Sequence, residues 1–166
     1  DMCGSHGKFH DKDSFMYEEL YHIPLLIRGP GVIEPGTVRD EFVYNMDLAT
    51  TALDAAGARI PEANQGRSLM PLLQSDADWP DDIYAEYFGH RFLSSNRMVR
   101  WADYKYVFNP ISFDELYDLG ADPSEMTNLI DDPAYAEIAA EGRRRILRWV
   151  NETGDDIRHA AQQMLS

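Results

Sequence analysis

The residues best equipped for chemistry crowd the first fourteen positions, DMCGSHGKFHDKDS, where Asp1, His6, Lys8, His10, Asp11 and Lys12 share a stretch rich in glycine and serine. A lysine ammonium in such a stretch is a compact positive charge with rotatable donors, suited to the oxygens of an anionic group. Lys12 is the first candidate for that role, with Lys8 as its competitor and a solvated surface lysine as the plain alternative. A histidine changes charge near neutral pH, so His6 fits either a direct catalytic role or a bond to the loop backbone. Cys3, His6 and His10 are also spaced as Cys-x2-His-x3-His, a pattern that could ligate zinc with Asp1 or Asp11 as the fourth ligand. A second cluster, Tyr87-Phe88-Gly89-His90-Arg91-Phe92, mixes aromatic rings with cations. His90 and Arg91 are candidates for substrate binding, and the alternative is a strand-end turn whose rings pack between subdomains. Glu18 and Glu19 read as structural, Arg143 to Arg145 as a solvated helix face, and Trp101, Tyr104 and Tyr106 as core.

These groups need elements to hold them. Residues 1–14 show no apolar period and read as loop. Phe15 to Tyr21 could form about two helical turns, ended by His22-Ile23-Pro24, since the residue before proline leaves the α region. The run Pro24-Leu25-Leu26-Ile27 predicts a short strand buried on both faces. NMDLATTALDAA, residues 45–56, predicts a helix with Asn45 or Asp47 as cap, Gly57 just past its end, and Met46, Ala49, Leu53 and Ala56 on one apolar face. Past Trp79-Pro80 the pattern turns to short strands at 83–87, 98–102, 105–109 and 115–119, paired as an antiparallel meander. Asp122-Pro123-Ser124-Glu125 and Asp132-Pro133 each read as a helix start. A helix from Pro133 to about Val150 carries Tyr135, Ile138, Ala139, Ile146 and Trp149 on the stripe that would cover the sheet. A short helix or frayed tail follows Gly154.

Bulk properties narrow the function. The 166 residues are 44% hydrophobic and 27% charged, ordinary for a globular protein with a sizeable core. A formal net charge of −14 argues against a nucleic-acid partner, whose phosphates need clustered Lys and Arg. One cysteine, Cys3, excludes an intrachain disulfide. No apolar run is long enough to span a bilayer.

The order Gly4, His6, Gly7, Lys12, Tyr17-Glu18-Glu19, Pro24 to Ile27 and Pro30-Gly31 resembles the segment after the Ser-Asp-His/Asn-Gly motif of type I sulfatases, in the alkaline phosphatase superfamily. Gln65-Gly66-Arg67-Ser68-Leu69, the strand pair around Tyr104-Lys105-Tyr106, and Glu115-Leu116-Tyr117-Asp118-Leu119 followed by Asp122-Pro123 extend the resemblance over nearly the whole chain. The step from His6 to Lys12 is one residue longer than the commonest family form.

The resemblance implies an α/β fold: residues 1–78 as the C-terminal remnant of the main sulfatase domain, and 79–166 as a smaller subdomain of antiparallel sheet plus helix. It implies a parent hydrolase that cleaves sulfate esters with formylglycine and a divalent cation, calcium or else magnesium or manganese, on a small aryl, alkyl or carbohydrate sulfate. Lys12 would bind the sulfate, His6 would act beside it, and His90 and Arg91 would read the rest of the substrate. The Cys/Ser-x-Pro-x-Arg nucleophile motif does not occur in this sequence. The chain is therefore expected to be a C-terminal piece, inactive alone, holding no complete metal site, and prone to self-association through an exposed sheet edge. Two alternatives stay open: a phosphodiesterase or phosphonate monoester hydrolase of the same superfamily, and a non-catalytic binding module.

Overall fold

The computed structural model describes residues 1–8, 15–29, 33–75, 77–89 and 95–166, the side chain of Lys8 excepted. The chain divides into two compact units, one made of Asp1–Pro24 with Tyr84–Ser166 and the other of Leu25–Ile83. It is an α/β fold whose centre is the predicted meander.

Four strands, β1 Asp82–Tyr87, β2 Asn96–Trp101, β3 Tyr104–Phe108 and β4 Glu115–Asp118, lie in the order β1-β2-β3-β4. β2 and β3 pair antiparallel from Trp101 against Tyr104 to Arg97 against Phe108. Their two-residue connection holds Ala102 at a φ of 44°. β3 and β4 pair antiparallel with Lys105 opposite Tyr117 and Tyr106 opposite Leu116.

Strand alternation gives this sheet two different faces. On one, Val99, Trp101, Tyr106, Phe108 and Leu116 form a core with Ala139, Ile146 and Val150 of the helix Ala136–Thr153. Trp101 and Tyr106 are buried, as expected of core residues. The same helix meets β3 at Gly142, where an added Cβ would lie 2.6 Å from Cβ and Cγ of Tyr106. Gly142→Ala must therefore push helix and strand apart. A loss of about 1–3 kcal/mol is expected, read as a lower denaturation midpoint at unchanged m-value.

The opposite face carries Met98, Arg100, Lys105, Val107, Glu115 and Tyr117. Met98 and Val107 pack with Met16, which is 2% exposed. Residues 15–21 thus lie against this second face, with a helical turn only at Glu18–Tyr21.

Several expectations hold in detail. The helix Asp47–Ala55 forms, and Gly57 after it takes a φ of 61°. Asp132 accepts from Ala134 N ahead of a 3-10 turn, Pro133–Tyr135, that leads into the long helix. A last helix, Arg158–Met164, follows Gly154. Others need correction. Residues 24–27 are not a strand among the described residues, and Leu26 is 97% exposed. Among the described residues no strand pairs with the backbone there. The helix at 47–55 buries Asp47 and Thr50 rather than its apolar side, with Met46 and Leu48 exposed. Its polar side is occupied by the following loop. Arg67 N donates to Asp47 Oδ1, Leu69 N to Thr51 Oγ1, and Ser68 Oγ to Asp54 Oδ2. Asp122-Pro123-Ser124-Glu125 does not start a helix. Asp122 accepts from Met126 N and Thr127 N, while Glu125 takes a φ of 52° and turns its side chain inward.

Candidate active-site loop

The loop at 1–8 is built on left-handed backbone. Met2, 2% exposed, anchors it, and its carbonyl accepts from Ser5 N at 2.9 Å and Ser5 Oγ at 2.8 Å. Around that turn Cys3, Gly4, His6 and Gly7 have φ values of 48°, 99°, 48° and 83°. A Cβ added at Gly4 or Gly7 would meet nothing within 4 Å, so conformation and not space selects glycine there. Cys3 and His6 have no such freedom, and each left-handed non-glycine residue costs roughly 1–2 kcal/mol. Such strain persists only where its surroundings enforce it, and it gathers at functional sites.

For His6 the enforcing surroundings are visible. Its imidazole stacks on Tyr17 with ring centroids 3.8 Å apart and planes 11° apart. The side chain is 10% exposed. Nε2 is buried without a hydrogen-bond partner among the described residues, and Glu19 Oε1 stands 3.8 Å away. Tyr17 in turn meets the Tyr117 ring edge to face, with centroids 6.1 Å apart. Tyr117 donates to Glu115 Oε2 at 3.0 Å, and Glu115 Oε1 accepts from Asn109 Nδ2 at 3.2 Å. Burial raises the Tyr17 and Tyr117 phenols, and Glu115 raises them further. Both therefore stay protonated at neutral pH and can act as donors. Burial also raises the Glu115 carboxyl, against hydrogen bonds from Tyr117 and Asn109.

Beside this chain of rings lies a buried ionic cluster. Lys105, fully buried, donates from Nζ to the Met16 carbonyl at 2.8 Å and pairs with Glu18 Oε1 at 2.9 Å and Glu125 Oε1 at 2.5 Å. Glu125 Oε2 accepts from Glu18 N at 2.6 Å. Arg100 Nη1 reaches Glu18 Oε2 at 2.5 Å. Burial raises the Glu125 carboxyl, opposed chiefly by Lys105. Two carboxylates share one buried ammonium and one half-buried guanidinium, so each charge has a counter-charge. The backbone of residues 16–18 is fixed by groups from the far end of the chain.

Of the residues expected at the site, His6 is held as described, and Glu18 proves structural as read. Lys12, His10, Asp11, His90, Arg91 and the side chain of Lys8 lie outside the described residues. Cys3 is exposed. Among the described residues no three His, Cys, Asp or Glu side chains converge on a point that could hold a metal. No described helix is long and apolar enough to cross a membrane. Tyr17, Lys105, Tyr117 and Glu125 were not singled out from sequence. Strand alternation does place Arg100, Lys105 and Tyr117 on one face, and that face was the available signal.

Residues 4–152 match the family described as N-sulphoglucosamine sulphohydrolase, C-terminal. The chain belongs to the type I sulfatases and matches their C-terminal portion. It is 37% identical over 145 residues to an N-acetylglucosamine-6-O-sulfatase of Bacteroides thetaiotaomicron, covering 82% of this chain and 26% of that protein. It is 32% identical over 165 residues to a Delta 4,5-hexuronate-2-O-sulfatase of the same organism, covering 95% and 34%. A solved structure in complex with its substrate D-glucosamine-2-N,6-O-disulfate aligns with a TM-score of 0.77 at 33% identity, over 86% of this chain and 31% of that one. This sulfatase chain thus spans about a quarter to a third of the length of these relatives.

Proposed function

We propose that this chain is the part of a sulfuric ester hydrolase that contributes a sulfate-binding lysine and substrate-reading elements, and that the whole protein removes sulfate from a sulfated amino sugar. The single observation that carries the reading is the likeness to a 6-O-sulfatase and to a glucosamine-disulfate complex, which covers 82% and 86% of this chain. The strained His6, stacked on Tyr17, supports the same reading, because backbone strain of this kind gathers at functional sites.

In this reading Lys12 binds the sulfuryl oxygens and steadies the charge that builds there as the ester bond breaks. His6 stands at the leaving-group side, its imidazole oriented by Tyr17. His90 and Arg91 line the sugar end. The formylglycine nucleophile and the ligands of a divalent cation, calcium or else magnesium or manganese, belong to the rest of the protein; when bound, the cation supplies Lewis-acid polarisation of the sulfate. The 166-residue chain alone would then bind but not turn over a sulfated sugar.

The test is a panel assay on the full-length protein. Sulfate release from 6-O-sulfated glucosamine, well above phosphate release from phosphodiesters and phosphonate monoesters, is the result expected. Preferential cleavage of the phosphorus esters would favour the phosphonate hydrolase reading. Binding of the sugar without turnover of any ester would favour a binding module.

A further inference from the structure

The polar face of the sheet does more than close the fold: Lys105 on β3 and Glu125 in the turn after β4 bond the backbone at Met16 and Glu18. We infer that Tyr117, on β4, is a positioning residue for His6, acting through the Tyr17 ring, with Lys105 pinning the backbone from which that ring projects. The inference rests on the reading of His6 as a site residue, and it adds the part of the fold that aims it.

The geometry runs in one line. The Tyr17 ring lies flat on the His6 imidazole at 3.8 Å, so any tilt of that ring tilts the imidazole. Three contacts fix the Tyr17 ring. Its edge meets the Tyr117 ring at 6.1 Å, its flank stacks on Phe15 at 5.4 Å, and its backbone is bracketed by Met16 O on Lys105 Nζ and Glu18 N on Glu125 Oε2. Tyr117 is itself fixed, 4% exposed and bonded to Glu115, on a strand whose register is set by Lys105 opposite it. Nothing in the local sequence of His6 could hold a left-handed imidazole in place. A wall built one hundred residues away in sequence does it instead. A displacement of about 1 Å at a catalytic group can cost roughly a hundredfold in rate, so a hydroxyl distant from the reaction can matter to it.

Tyr117→Phe removes the bond to Glu115 that holds the Tyr117 ring against Tyr17 and leaves the ring in the core. In the 166-residue chain, the His6 ring protons should lose part of the upfield NMR shift that the stacked Tyr17 ring imposes. In the full-length enzyme, kcat for sulfate release should fall by roughly ten- to a hundredfold, with KM little changed and the pH profile displaced. Glu115→Leu, which removes the same hydrogen bond from its other end, should give the same changes and serves if Tyr117→Phe does not fold. Tyr135→Phe, which also loses a phenol hydroxyl but lies away from the loop, should change none of them. His6 signals that do not move in either variant overturn the inference, as does an unchanged kcat when the signals do move. An inactive wild-type protein would instead sink the sulfatase reading, while the NMR arm still decides whether the sheet positions His6.

Discussion

Asp155→Ala is expected to lower the unfolding free energy by about 3–5 kcal/mol, enough to unfold much of a marginally stable protein. Arg97 lies on β2 with no exposed surface, and Asp155 just past the long helix has a side chain 2% exposed. Their pairing is bidentate, with Nε to Oδ2 at 2.8 Å and Nη2 to Oδ1 at 2.9 Å. Asp155 Oδ1 also accepts from Ile157 N at 2.8 Å, which shapes the turn into the last helix. Removing the carboxylate leaves a buried guanidinium whose contacts among the described residues include Asn96 O, Ser95 Oγ and the face of Phe88 at 4.5 Å, with the Glu86 carboxylate acting on it through space. The cost comes from that unpaired charge, so Arg97→Met with Asp155→Leu should recover much of the loss.

The same pair sets an acid limb. Burial alone would raise the Asp155 carboxyl, but the hydrogen bonds from Arg97 and Ile157 and the Arg97 charge outweigh it and hold it below the ordinary aspartate range. A carboxyl lowered on folding stabilises fully above its unfolded value, about 3.9, and the contribution is lost as pH falls through the lower folded value. Denaturant midpoints measured below pH 4 should therefore fall less steeply in Asp155→Ala than in the parent. An equally steep fall would assign the acid limb to other carboxylates.

Lys12→Ala in the full-length protein is expected to reduce kcat for sulfate ester hydrolysis by roughly 10²–10³, the usual cost of removing one group that meets developing charge. The ammonium acts more strongly on the transition state than on the bound ester, so kcat should fall more than KM rises. Lys12→Arg should rescue poorly, because a planar guanidinium does not replace a compact ammonium at a fixed oxygen. Lys8→Ala is the internal comparison. If it, rather than Lys12→Ala, abolishes turnover, the one-residue lengthening between His6 and Lys12 has shifted the role to Lys8.

Local patterns were legible in the sequence, and long-range pairings were not. Alternation across 98–102 and 105–109 gave the hairpin and the face under the long helix, but one or two residues late, since the strands run Asn96–Trp101 and Tyr104–Phe108 with Ala102-Asp103 between them. The Asp132-Pro133 cap gave the start of that helix, and Gly57 and Gly154 gave helix ends. The second face was opaque because Arg100 and Lys105 meet Glu18 from more than eighty residues away, and no local rule pairs them. Glu125 was misread for the same reason. Its spacing from Asp122 satisfies a capping box, but a buried lysine offers its carboxylate more than a backbone amide does. At 24–27 an apolar tetrapeptide announces burial without saying which strand would provide it. His6 was legible as a candidate from its glycine neighbours, whereas its orientation depends on Tyr17 and, through it, on β4.

The most direct measurement is sulfate release, followed by ion chromatography, from glucosamine 6-sulfate by the full-length protein and its Lys12→Ala variant under identical conditions. Steady release by the parent with a loss of at least a hundredfold in the variant is the result predicted. Equal release by the two proteins would contradict the role given to Lys12, and no release by either would contradict the proposed hydrolysis of a sulfated amino sugar.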